Sequence, residues 1–439
     1  MYKNKKILVL GAAKSGISVA KLLANDNDIT LTDLKPLENN ITKELEDLGI
    51  KIIITDNQID LIDESYDLII KNPAVMSTSP IIKKINDLNI RLENEMEVAY
   101  HFLPDNVKII GITGSNGKTT TTTIIYELLK RFNKSVVLGG NIGMPLSQIV
   151  NDVKENDILL LEISDHQLCD FKDFKTNISV LTNVYPTHLD YHGTYEHYML
   201  TKKIIFNNHT ENDIAIINNK NNESLEITND IKSKKIYFNN NDNYYNDEGI
   251  YVDNELIINT EDILIQGNHN YENILAALVT LKQVVNLDKD IIKEFLKSFG
   301  GVAHRIEFVR EINGVKYYND SKATNTTATI TALKTFNKPI HLILGGYERN
   351  QDFNDLNDYI SNVTHIYAIG TVTNRVVDYA KSVNIKCSEC NKLTNAMEEI
   401  KNNVKPGDIV LLSPASSSQD YYSCFEQRGD EFKKLVANL

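Results

Sequence analysis

The amino-acid sequence predicts an α/β protein of three domains, each built on a mainly parallel β-sheet. Short apolar runs rich in β-branched residues alternate with longer helical patterns through most of the chain, as they do in β-α-β units. The length of 439 residues also exceeds what one hydrophobic core usually supports. We place the domain boundaries near residues 97 and 301, which gives domains of residues 1–97, 98–300 and 301–439.

The composition argues against two classes of partner. A net charge of −13 repels polyanions, so we expect no nucleic-acid partner. No apolar run is long enough to span a bilayer, so we expect no membrane insertion. The N-terminal run ILVL is too short for a signal peptide, and four cysteines fit a reducing compartment. We therefore expect a cytoplasmic protein, and we expect it to be a monomer.

The strands of the three sheets are predicted from apolar runs in chain order. The first sheet is predicted from KKILVLG, DITLTD and YDLIIKNPAV. The second is predicted from VKIIGITG, NDILLLEIS, ISVLTNV and NDIAIIN, and the third from KYYNDSKAT, PIHLILGG, HIYAIG and GDIVLLSPAS. Between the second and third sets, residues 222–262 are rich in Asn, Asp and Tyr, which predicts short antiparallel strands or loops.

The first turn, GAAKSG from Gly11 to Gly16, follows a strand and opens a helix. A dinucleotide-binding GxGxxG fingerprint would stand here, but Ala13 replaces its second glycine, which disfavours a dehydrogenase. Asp33 ends the next predicted strand. Two interpretations stay open: a nucleotide site with a diphosphate at the helix N-terminus, or an ordinary turn between a strand and a helix.

The stretch GITGSNGKTT lies between a predicted strand and a predicted helix, as a phosphate-binding loop does. Its GxxGKT spacing is shorter than the Walker A pattern GxxxxGK[ST]. Two glycines allow successive N–H groups to face an anion, Lys118 can reach the β- and γ-phosphates, and Thr119 can ligate Mg²⁺. The predicted ATP-binding residues of this loop are Gly114, Ser115, Asn116, Gly117, Lys118, Thr119 and Thr120.

Further polar residues follow the strands of the second sheet. Glu162 ends the run ILLLEIS, where a carboxylate can hold magnesium over the loop; the alternative is a solvated strand end. In LTNVYPTHLDYHGTYEHYMLTKK, we expect a loop that carries His188, Asp190 and His192, then a helix that carries Lys202. Taken alone, His188 is more typical of a surface or capping histidine, and Lys202 of a solvated helix residue.

Taken together, these motifs resemble the Mur ligase family, the ATP-dependent amide-forming enzymes of peptidoglycan synthesis. GITGSNGKTT, the NIG of Asn141–Gly143, TNVYPTHLDYHG, HNYENILAAL, HRIE and NDSKATN occur in the family's order, and the resemblance covers essentially the whole chain. It implies a Rossmann-like N-terminal domain, a central P-loop ATPase-type domain with a parallel sheet, and a C-terminal Rossmann-like α/β domain. These would bind a UDP-linked substrate, ATP and an amino acid, respectively.

The resemblance also implies a reaction, because NDSKATN and LLSPASSSQDYYSCFEQRGDEF match the family member that adds D-glutamate. The carboxylate of UDP-N-acetylmuramoyl-L-alanine would attack the γ-phosphate of ATP to give an acyl phosphate and ADP. The D-glutamate amine would then form a tetrahedral intermediate that loses phosphate. The implied cofactors are ATP and two Mg²⁺ ions, one of them held by a carbamate formed on Lys202.

The resemblance assigns roles to residues that match the family motifs. The implied catalytic residues are Lys118, Glu162, His188 and Lys202, and the implied metal ligands are Thr119, Glu162, His188 and Lys202. Around the adenine and ribose of ATP the resemblance places Asn270, Asn273, Arg305 and Asp320. Around the UDP-linked substrate it places Ser15, Asp33, Asn141, Gln167 and His188. Around D-glutamate it places Lys322, Thr324, Arg349, Ser418 and Tyr422.

Three departures from the family pattern are visible. Asp165 and His166 stand where the family usually has Ser and Phe, and they add an ionisable pair beside the substrate. Arg349 stands where lysine is frequent, and its guanidinium can still bind a carboxylate. Lys14 adds a cation to the first turn.

Rival functions differ in what they require of the sequence. A folate ligase would not need the first domain with its strand-end Asp33, and a ligase for another amino acid should lack NDSKATN. A regulatory protein that kept the fold and lost the chemistry is disfavoured, because Lys118, Thr119, Glu162, His188 and Lys202 are all present. A Rossmann dehydrogenase survives only if GAAKSG is considered alone.

Overall fold

The structure is a computed structural model that describes residues 2–76 and 78–439. The chain divides into two compact units, Met1–Lys297 and Ser298–Leu439. Its main sheets are parallel or nearly so and alternate with helices, which confirms the α/β class. The predicted boundaries near residues 97 and 301 stay predictions.

The first sheet has five parallel strands in the order β3-β2-β1-β4-β5. Its strands are β1 (Lys6–Leu10), β2 (Asp28–Asp33), β3 (Lys51–Ile54), β4 (Leu68–Lys71) and β5 (Arg91–Asn94). Its helices are α1 (Lys14–Leu23), α2 (Asn39–Asp47), α3 (Pro80–Asp87) and α4 (Glu95–Tyr100). Alternate residues of β1 feed two separate cores, Ile7 and Val9 on one face and Leu8 and Leu10 on the other. Both faces of the sheet are therefore covered, as expected for parallel strands.

The second sheet has six parallel strands in the order β11-β10-β9-β6-β8-β7. Its strands are β6 (Lys108–Thr113), β7 (Val136–Gly140), β8 (Ile158–Glu162), β9 (Ile178–Leu181), β10 (Ile214–Asn218) and β11 (Lys234–Phe238). The accompanying helices are α5 (Lys118–Arg131), α6 (Leu146–Ile149), α7 (Asp165–Leu168), α8 (Leu189–His192), α9 (Tyr195–Lys203), α10 (Asn222–Ile227), α11 (Asn268–Leu281) and α12 (Lys289–Ser298). Because β6 lies between β8 and β9, the loop after it is flanked by the ends of both neighbours.

The segment of residues 222–262 is more ordered than its composition predicted. It contains helix α10 and strand β11, and β11 joins the central sheet in parallel register. The remainder forms an antiparallel sheet of β12 (Tyr244–Tyr245), β13 (Gly249–Val252) and β14 (Glu255–Asn259). The prediction of antiparallel strands was therefore correct for its second half only, because β11 gains its hydrogen bonds from β10, a partner that local composition cannot reveal.

The C-terminal unit contains a sheet of six strands in the order β15-β16-β20-β17-β18-β19, parallel except for the pair β15–β16. The strands are β15 (Glu307–Ile312), β16 (Val315–Asn319), β17 (Ile340–Gly345), β18 (Val363–Ile369), β19 (Lys386–Asn391) and β20 (Ile409–Leu412). The helices are α13 (Thr326–Leu333), α14 (Thr373–Ser382), α15 (Leu393–Lys401) and α16 (Phe425–Ala437). Strands β16, β17 and β20 are adjacent, so the loops that follow them meet at one edge.

Short 3₁₀ helices complete the secondary structure. They span Ala24–Asp26, Gln58–Leu61, Val150–Asp152, Ile204–Phe206, Thr260–Asp262 and Phe353–Tyr359. Among the residues that the structure describes, none of the helices combines the length and apolar character needed to cross a membrane.

Candidate active site

The loop between β6 and α5 is shaped by two glycines. Gly117 is the N-cap of α5 with φ of 81°, a left-handed conformation that suits glycine. A Cβ on Gly117 would lie 2.1 Å from Asn273 Oδ1, and a Cβ on Gly114 would lie 2.0 Å from Thr182 Oγ1. Neither position can therefore carry a side chain. The loop leads into the N-terminus of a 14-residue helix, where a phosphate is favoured.

The polar side chains of this loop are held by the loop itself and by the segment after β9. Lys118 Nζ donates to the carbonyls of Gly114 and Ser115 at 2.8 and 3.0 Å. Asn183 Oδ1 accepts from the Asn116 N–H at 2.9 Å. Ser115 Oγ donates to the Tyr185 carbonyl at 3.0 Å. The loop is thus rigidly supported, with Thr119 and Thr120 in the first turn of α5.

Glu162 ends β8, directly beside β6, where it pairs in register with Ile112. The Glu162 side chain is buried, and its Oε1 accepts from Asn141 Nδ2 at 2.7 Å. Its Oε2 is buried without a hydrogen-bond partner among the described residues. A solvated strand end is therefore excluded. A buried carboxylate oxygen without a donor is costly, and a cation at this position would satisfy it.

Lys202 on α9 is fully buried, and its ammonium lies at the end of β6 in the central sheet. Its Nζ donates to Thr113 Oγ1 at 3.2 Å and to Asp165 Oδ1 at 3.3 Å. Asp165 Oδ2 faces three imidazoles: His192 Nε2 at 2.8 Å, His188 Nδ1 at 3.1 Å and His166 Nδ1 at 3.3 Å. The cluster therefore joins α7, α8 and α9 around one buried carboxylate, and Lys202 is not a solvated helix residue.

The expected loop after β9 contains a helical turn. His188 is the N-cap of α8 with φ of 52°, an uncommon backbone conformation for a residue other than glycine, and Asp190 and His192 lie within the turn. The prediction that Asp190 and His192 lie in a loop was therefore wrong. The turn hides the His192 side chain, while the side chain of His188 stays 49% exposed.

The charges of this cluster are set by burial and by proximity. Burial, with Lys118 nearby, lowers the pKa of Lys202 to about 7. Burial alone would raise the pKa of Asp165, but Lys202 and the imidazoles hold it well below its usual range. Burial also lowers the pKa values of His166 and His192, so both rings are neutral at pH 7. The cluster therefore holds a permanent carboxylate beside neutral nitrogen donors.

The residues predicted for the UDP-linked substrate fall into two groups. Ser15 and Asp33 lie at the turn before α1, where Asp33 Oδ2 accepts the Ala12 N–H at 2.6 Å and Ser15 Oγ accepts from Asn72 Nδ2 at 3.3 Å. Asn141, Gln167 and His188 lie instead around the central sheet. Gln167 Oε1 accepts the Ser164 N–H at 2.9 Å and closes a capping box on α7.

Buried contacts fix the first sheet against the central one. Asn94 Nδ2 donates to the Gln167 carbonyl at 2.5 Å. The fully buried Lys71 ammonium pairs with Asp170 at 3.0 Å. Glu95 accepts the Ser147 N–H in a buried contact. The residues predicted for the UDP-linked substrate lie beside the first sheet and beside the central sheet, and they therefore belong to one packed unit.

The residues predicted around adenine and ribose lie in both compact units. In the first, Asn273 is buried beside Gly117, and Asn270 Nδ2 donates to the Gln266 carbonyl at 3.0 Å. In the second, Asp320 is buried after β16 and accepts from Ser413 Oγ at 2.7 Å. Burial raises the pKa of Asp320 to about 7, although the charge of the exposed Arg305 acts in the opposite direction.

The residues predicted for D-glutamate lie in the loops after β16, β17 and β20. Lys322 and Thr324 follow β16, Arg349 follows β17, and Ser418 and Tyr422 follow β20. Arg349 Nη2 donates to Gln419 Oε1 at 2.6 Å, next to Ser418. The Lys322 ammonium lies 5.8 Å from the Phe425 ring centroid. The Tyr422 N–H donates to the Ser418 carbonyl at 3.0 Å, and burial raises the Tyr422 pKa.

One buried side chain that sequence reasoning missed connects the loops after β16 and β20. Arg428 is 1% exposed, and its guanidinium donates to Ser321 Oγ and to the carbonyls of Ser321, Ser416 and Ser417 at 2.9–3.3 Å. Burial lowers its pKa to about 10, so it stays charged. The motif FEQRGDEF contains it, but its partners lie as many as 107 positions away. Asn183 was missed for the same reason, although its place after β9 was a signal.

The residues around the central loop fit ATP and divalent cations. The glycine loop and helix N-terminus suit phosphates. Glu162 Oε2, which has no hydrogen-bond partner among the described residues, and the hydroxyl of Thr119 in the first turn of α5 offer hard oxygen ligands. A second group of possible ligand atoms comes from Asp165, His166 and His188, all within 4.8 Å of one another.

Two models of protein domain families match this chain. Residues 112–281 match the Mur ligase middle domain, and residues 304–416 match the glutamate ligase domain of Mur ligases. The UDP-N-acetylmuramoylalanine--D-glutamate ligase of Geobacillus kaustophilus (strain HTA426) is 38% identical over 100% of this chain and 98% of its own length. The enzyme of the same name from Geobacillus sp. (strain WCH70) is 40% identical, with the same coverage.

Solved structures show the same fold at low sequence identity. The UDP-N-acetylmuramate-alanine ligase of Thermotoga maritima superposes with a TM-score of 0.60 at 19% identity, covering 99% of this chain and 100% of that one. The MurF ligase of Thermotoga maritima, solved in complex with ADP, gives 0.54 at 20% identity and covers 100% and 96% of the two chains. Both similarities show the fold alone.

Proposed function

This chain belongs to the Mur ligase family, and we propose that it joins D-glutamate to UDP-N-acetylmuramoyl-L-alanine at the expense of ATP. The observation that carries the proposal is the match, over the full length of this chain, to relatives named for that reaction at 38–40% identity. The sequence-based resemblance to the family is thereby confirmed. The reaction consumes ATP, and we propose that it takes place in the cytoplasm, on a monomer.

We propose that the predicted domains divide the substrates among themselves. Residues 1–97 would bind the UDP moiety through Ser15 and Asp33, residues 98–300 would bind ATP, and residues 301–439 would bind D-glutamate. The geometry of the first turn supports binding of the diphosphate, because the Ser15 hydroxyl lies in the first turn of α1, where backbone N–H groups favour an anion.

The proposed cation sites use residues that the central sheet brings to its edge. Thr119 and Glu162 would hold one Mg²⁺, and His188 with a carbamate on Lys202 would hold the other. A carbamate forms when a neutral amine attacks CO₂ and releases a proton, and a pKa near 7 keeps much of the Lys202 amine neutral. Bound cations would neutralise the charge that accumulates as the substrate carboxylate approaches the γ-phosphate.

The chain's own side chains would orient the first step. Lys118 would exchange the carbonyls of Gly114 and Ser115 for phosphate oxygens and offset the negative charge on the transferred phosphoryl group. Asn141 holds the Glu162 carboxylate in place. The acyl phosphate then offers phosphate as a leaving group, and no side-chain nucleophile is needed.

The second step would depend on the loops after β16, β17 and β20. Arg349 and Lys322 supply cations for the two carboxylates of D-glutamate, and Ser418 and Thr324 supply hydroxyls. Arg428 would act as a positioning residue, because it joins Ser321 to the loop that carries Ser418. The amine would attack the acyl carbon, and phosphate would leave from the tetrahedral intermediate.

The experiment that tests the proposal measures phosphate release from ATP with UDP-N-acetylmuramoyl-L-alanine. D-glutamate, L-glutamate, L-lysine or no amino acid is supplied in separate reactions. We expect release only when the UDP-linked substrate and D-glutamate are both present. Release that is indifferent to the amino acid, or that requires L-lysine, would overturn the proposed acceptor.

A further inference from the structure

The buried carboxylate of Asp165 has more partners than an ordinary ion pair requires. Lys202 Nζ lies 3.3 Å from its Oδ1, and three imidazole nitrogens lie 2.8–3.3 Å from its Oδ2. The Asp165 side chain is only 2% exposed. One ammonium already balances the charge of one carboxylate, so charge pairing leaves the gathering of three histidines unexplained.

We propose that Asp165 Oδ2, His166 Nδ1 and His188 Nδ1 form a binding site for a divalent transition-metal ion. This site binds Mn²⁺ in preference to Mg²⁺. Asp165 and His166 open helix α7, and His188 is the N-cap of α8. The inference deepens the proposed function and rests on it, because it assigns a ligand set and an ion preference to one of the proposed cation positions.

The spacing of the three atoms suits a common metal. Asp165 Oδ2 lies 3.1 Å from His188 Nδ1 and 3.3 Å from His166 Nδ1. Adjacent ligands of an octahedral ion with bonds of roughly 2.1 Å are separated by roughly 3.0 Å. All three atoms lie within 4.8 Å of one another, so they can occupy one face of such an ion without a large movement.

The surroundings of the three residues provide support from behind and access from the front. His192, whose side chain is fully buried, donates from Nε2 to Asp165, and Lys202 holds the other carboxylate oxygen. Such outer contacts fix the orientation of a ligand. His166 and His188 are 26% and 49% exposed. An ion can therefore enter from solvent and reach a preformed set of ligands.

A second acidic and histidine cluster shows what a structural arrangement looks like by contrast. Glu97, His101 and Asp173 also lie close together. The Glu97 carboxylate, however, accepts three backbone N–H groups, from residues 172, 173 and 174, at 2.7–3.1 Å. Its oxygens accept from one backbone segment, whereas the partners of Asp165 are side-chain imidazoles, whose nitrogens can bind a metal ion when they are unprotonated.

The ligand chemistry determines the ion preference. Mg²⁺ binds oxygen ligands and retains water, whereas imidazole nitrogen favours first-row transition metals. Two nitrogens and one carboxylate form a 2-His-1-carboxylate face. The charge balance agrees, since a carbamate on Lys202 would place a second anion beside Asp165. A cation between the two would remove that repulsion.

The test measures Mn²⁺ binding to the full-length protein by electron paramagnetic resonance, without nucleotide and in excess Mg²⁺. Wild-type protein should bind Mn²⁺ under these conditions, with ¹⁴N couplings from two histidines in the spin-echo spectrum. Asp165→Ser should weaken Mn²⁺ binding by about tenfold or more. His166→Phe keeps the Asp165–Lys202 pair intact and should reduce the number of coupled histidines to one.

Two controls separate this site from other effects. His197→Phe removes an exposed imidazole next to His192 that is outside the proposed face, and it should bind Mn²⁺ like the wild type. Glu162→Gln removes the other proposed cation ligand and should leave both ¹⁴N couplings unchanged. Circular dichroism establishes that each variant is folded.

Two results would overturn the proposal. One is a wild-type spectrum without ¹⁴N coupling, and the other is unchanged Mn²⁺ affinity in folded Asp165→Ser and His166→Phe proteins. Phosphate release with D-glutamate is measured on the same preparations. If release persists in wild-type protein while the ¹⁴N couplings are absent, the ligase function stands and the metal assignment fails. If the ¹⁴N couplings are present but no D-glutamate-dependent release occurs, the metal assignment stands and the proposed ligase function fails.

Discussion

The two compact units each place a buried cation at the edge of a six-stranded sheet, but they satisfy it differently. Lys202 in the first unit is paired with the Asp165 carboxylate and a hydroxyl. Arg428 in the second is surrounded by three carbonyls and a hydroxyl, all neutral. Burial brings the Lys202 pKa to about 7 but leaves that of Arg428 at about 10.

This difference separates chemistry from positioning. A lysine whose charge is poised near neutrality can react or exchange partners, whereas a guanidinium that stays charged and makes several fixed bonds can only hold the chain. The contrast predicts that losing Lys202 impairs the reaction itself, while losing Arg428 impairs the shape of the amino-acid site.

The largest expected effect is that of Lys202→Ala. It removes the only described ammonium in contact with Asp165 and leaves a buried carboxylate uncompensated, so the rate of phosphate release should fall by about 10²–10³-fold. The adjacent Lys203 pairs with Asp230 at the surface, and Lys203→Ala should retain nearly full activity. Steady-state kinetics measure the activity of both variants. An equal loss of activity in the two would contradict a special role for the buried Lys202.

Arg428→Ala should act mainly on stability. It leaves three buried carbonyls and one hydroxyl without their donor, and we expect the C-terminal unit to lose about 3 kcal/mol of unfolding free energy. Urea denaturation gives that value, and the KM for D-glutamate should rise in the same variant. Arg428→Lys keeps the charge but not the fork of donors. Recovery of full stability in Arg428→Lys would show that charge alone matters here.

Arg349→Ala should have a smaller and more local effect. The side chain is exposed and bonds Gln419, so its removal should raise the KM for D-glutamate by about tenfold, the loss expected for one partly solvated charge-assisted contact. The unfolding midpoint should not change. Arg349→Lys should restore most of the affinity, and Arg310→Ala, at an exposed strand position, serves as the surface control. An unchanged KM would remove Arg349 from the site.

The last prediction concerns the pH dependence of stability. Burial raises the pKa of Glu95 from 4.5 and of Asp320 from 3.8, each to about 7. Between about pH 4 and 7 the folded protein therefore keeps protons that the unfolded chain has released. The contribution of these two groups to the unfolding free energy should therefore fall as pH rises through this window, by up to about 1.4 kcal/mol per pH unit for each group.

Substitution by amides removes this contribution in each unit separately. Glu95→Gln should flatten the slope for the first unit, and Asp320→Asn should flatten it for the second. Urea denaturation at half-unit intervals from pH 4 to 8 measures both slopes. A difference in unfolding free energy between wild type and variant that does not fall with rising pH would contradict the assignment.

The sequence predicted those features that depend on contiguous residues. The central loop, its helix and the strand ends with Glu162 and Asp320 could be found because short motifs specify them locally. The helical turn at His192 and the strand β11 could not, because their conformations depend on packing and on strand partners. Arg428 escaped because its partners are brought together only by the pairing of β16 with β20. Of the Asp165 cluster, sequence inspection identified an unusual pair but not the carboxylate's four neighbours.

The Lys118 ammonium in the phosphate-binding loop has a consequence for how tightly nucleotides can bind. It is already bonded to the carbonyls of Gly114 and Ser115, so an arriving nucleotide replaces two existing bonds instead of recruiting a solvated cation. The enthalpy gained is a difference between two bonded states, while the entropy of restraining the side chain has been lost beforehand. Nucleotide dissociation constants will therefore understate how strongly this lysine attracts a phosphate.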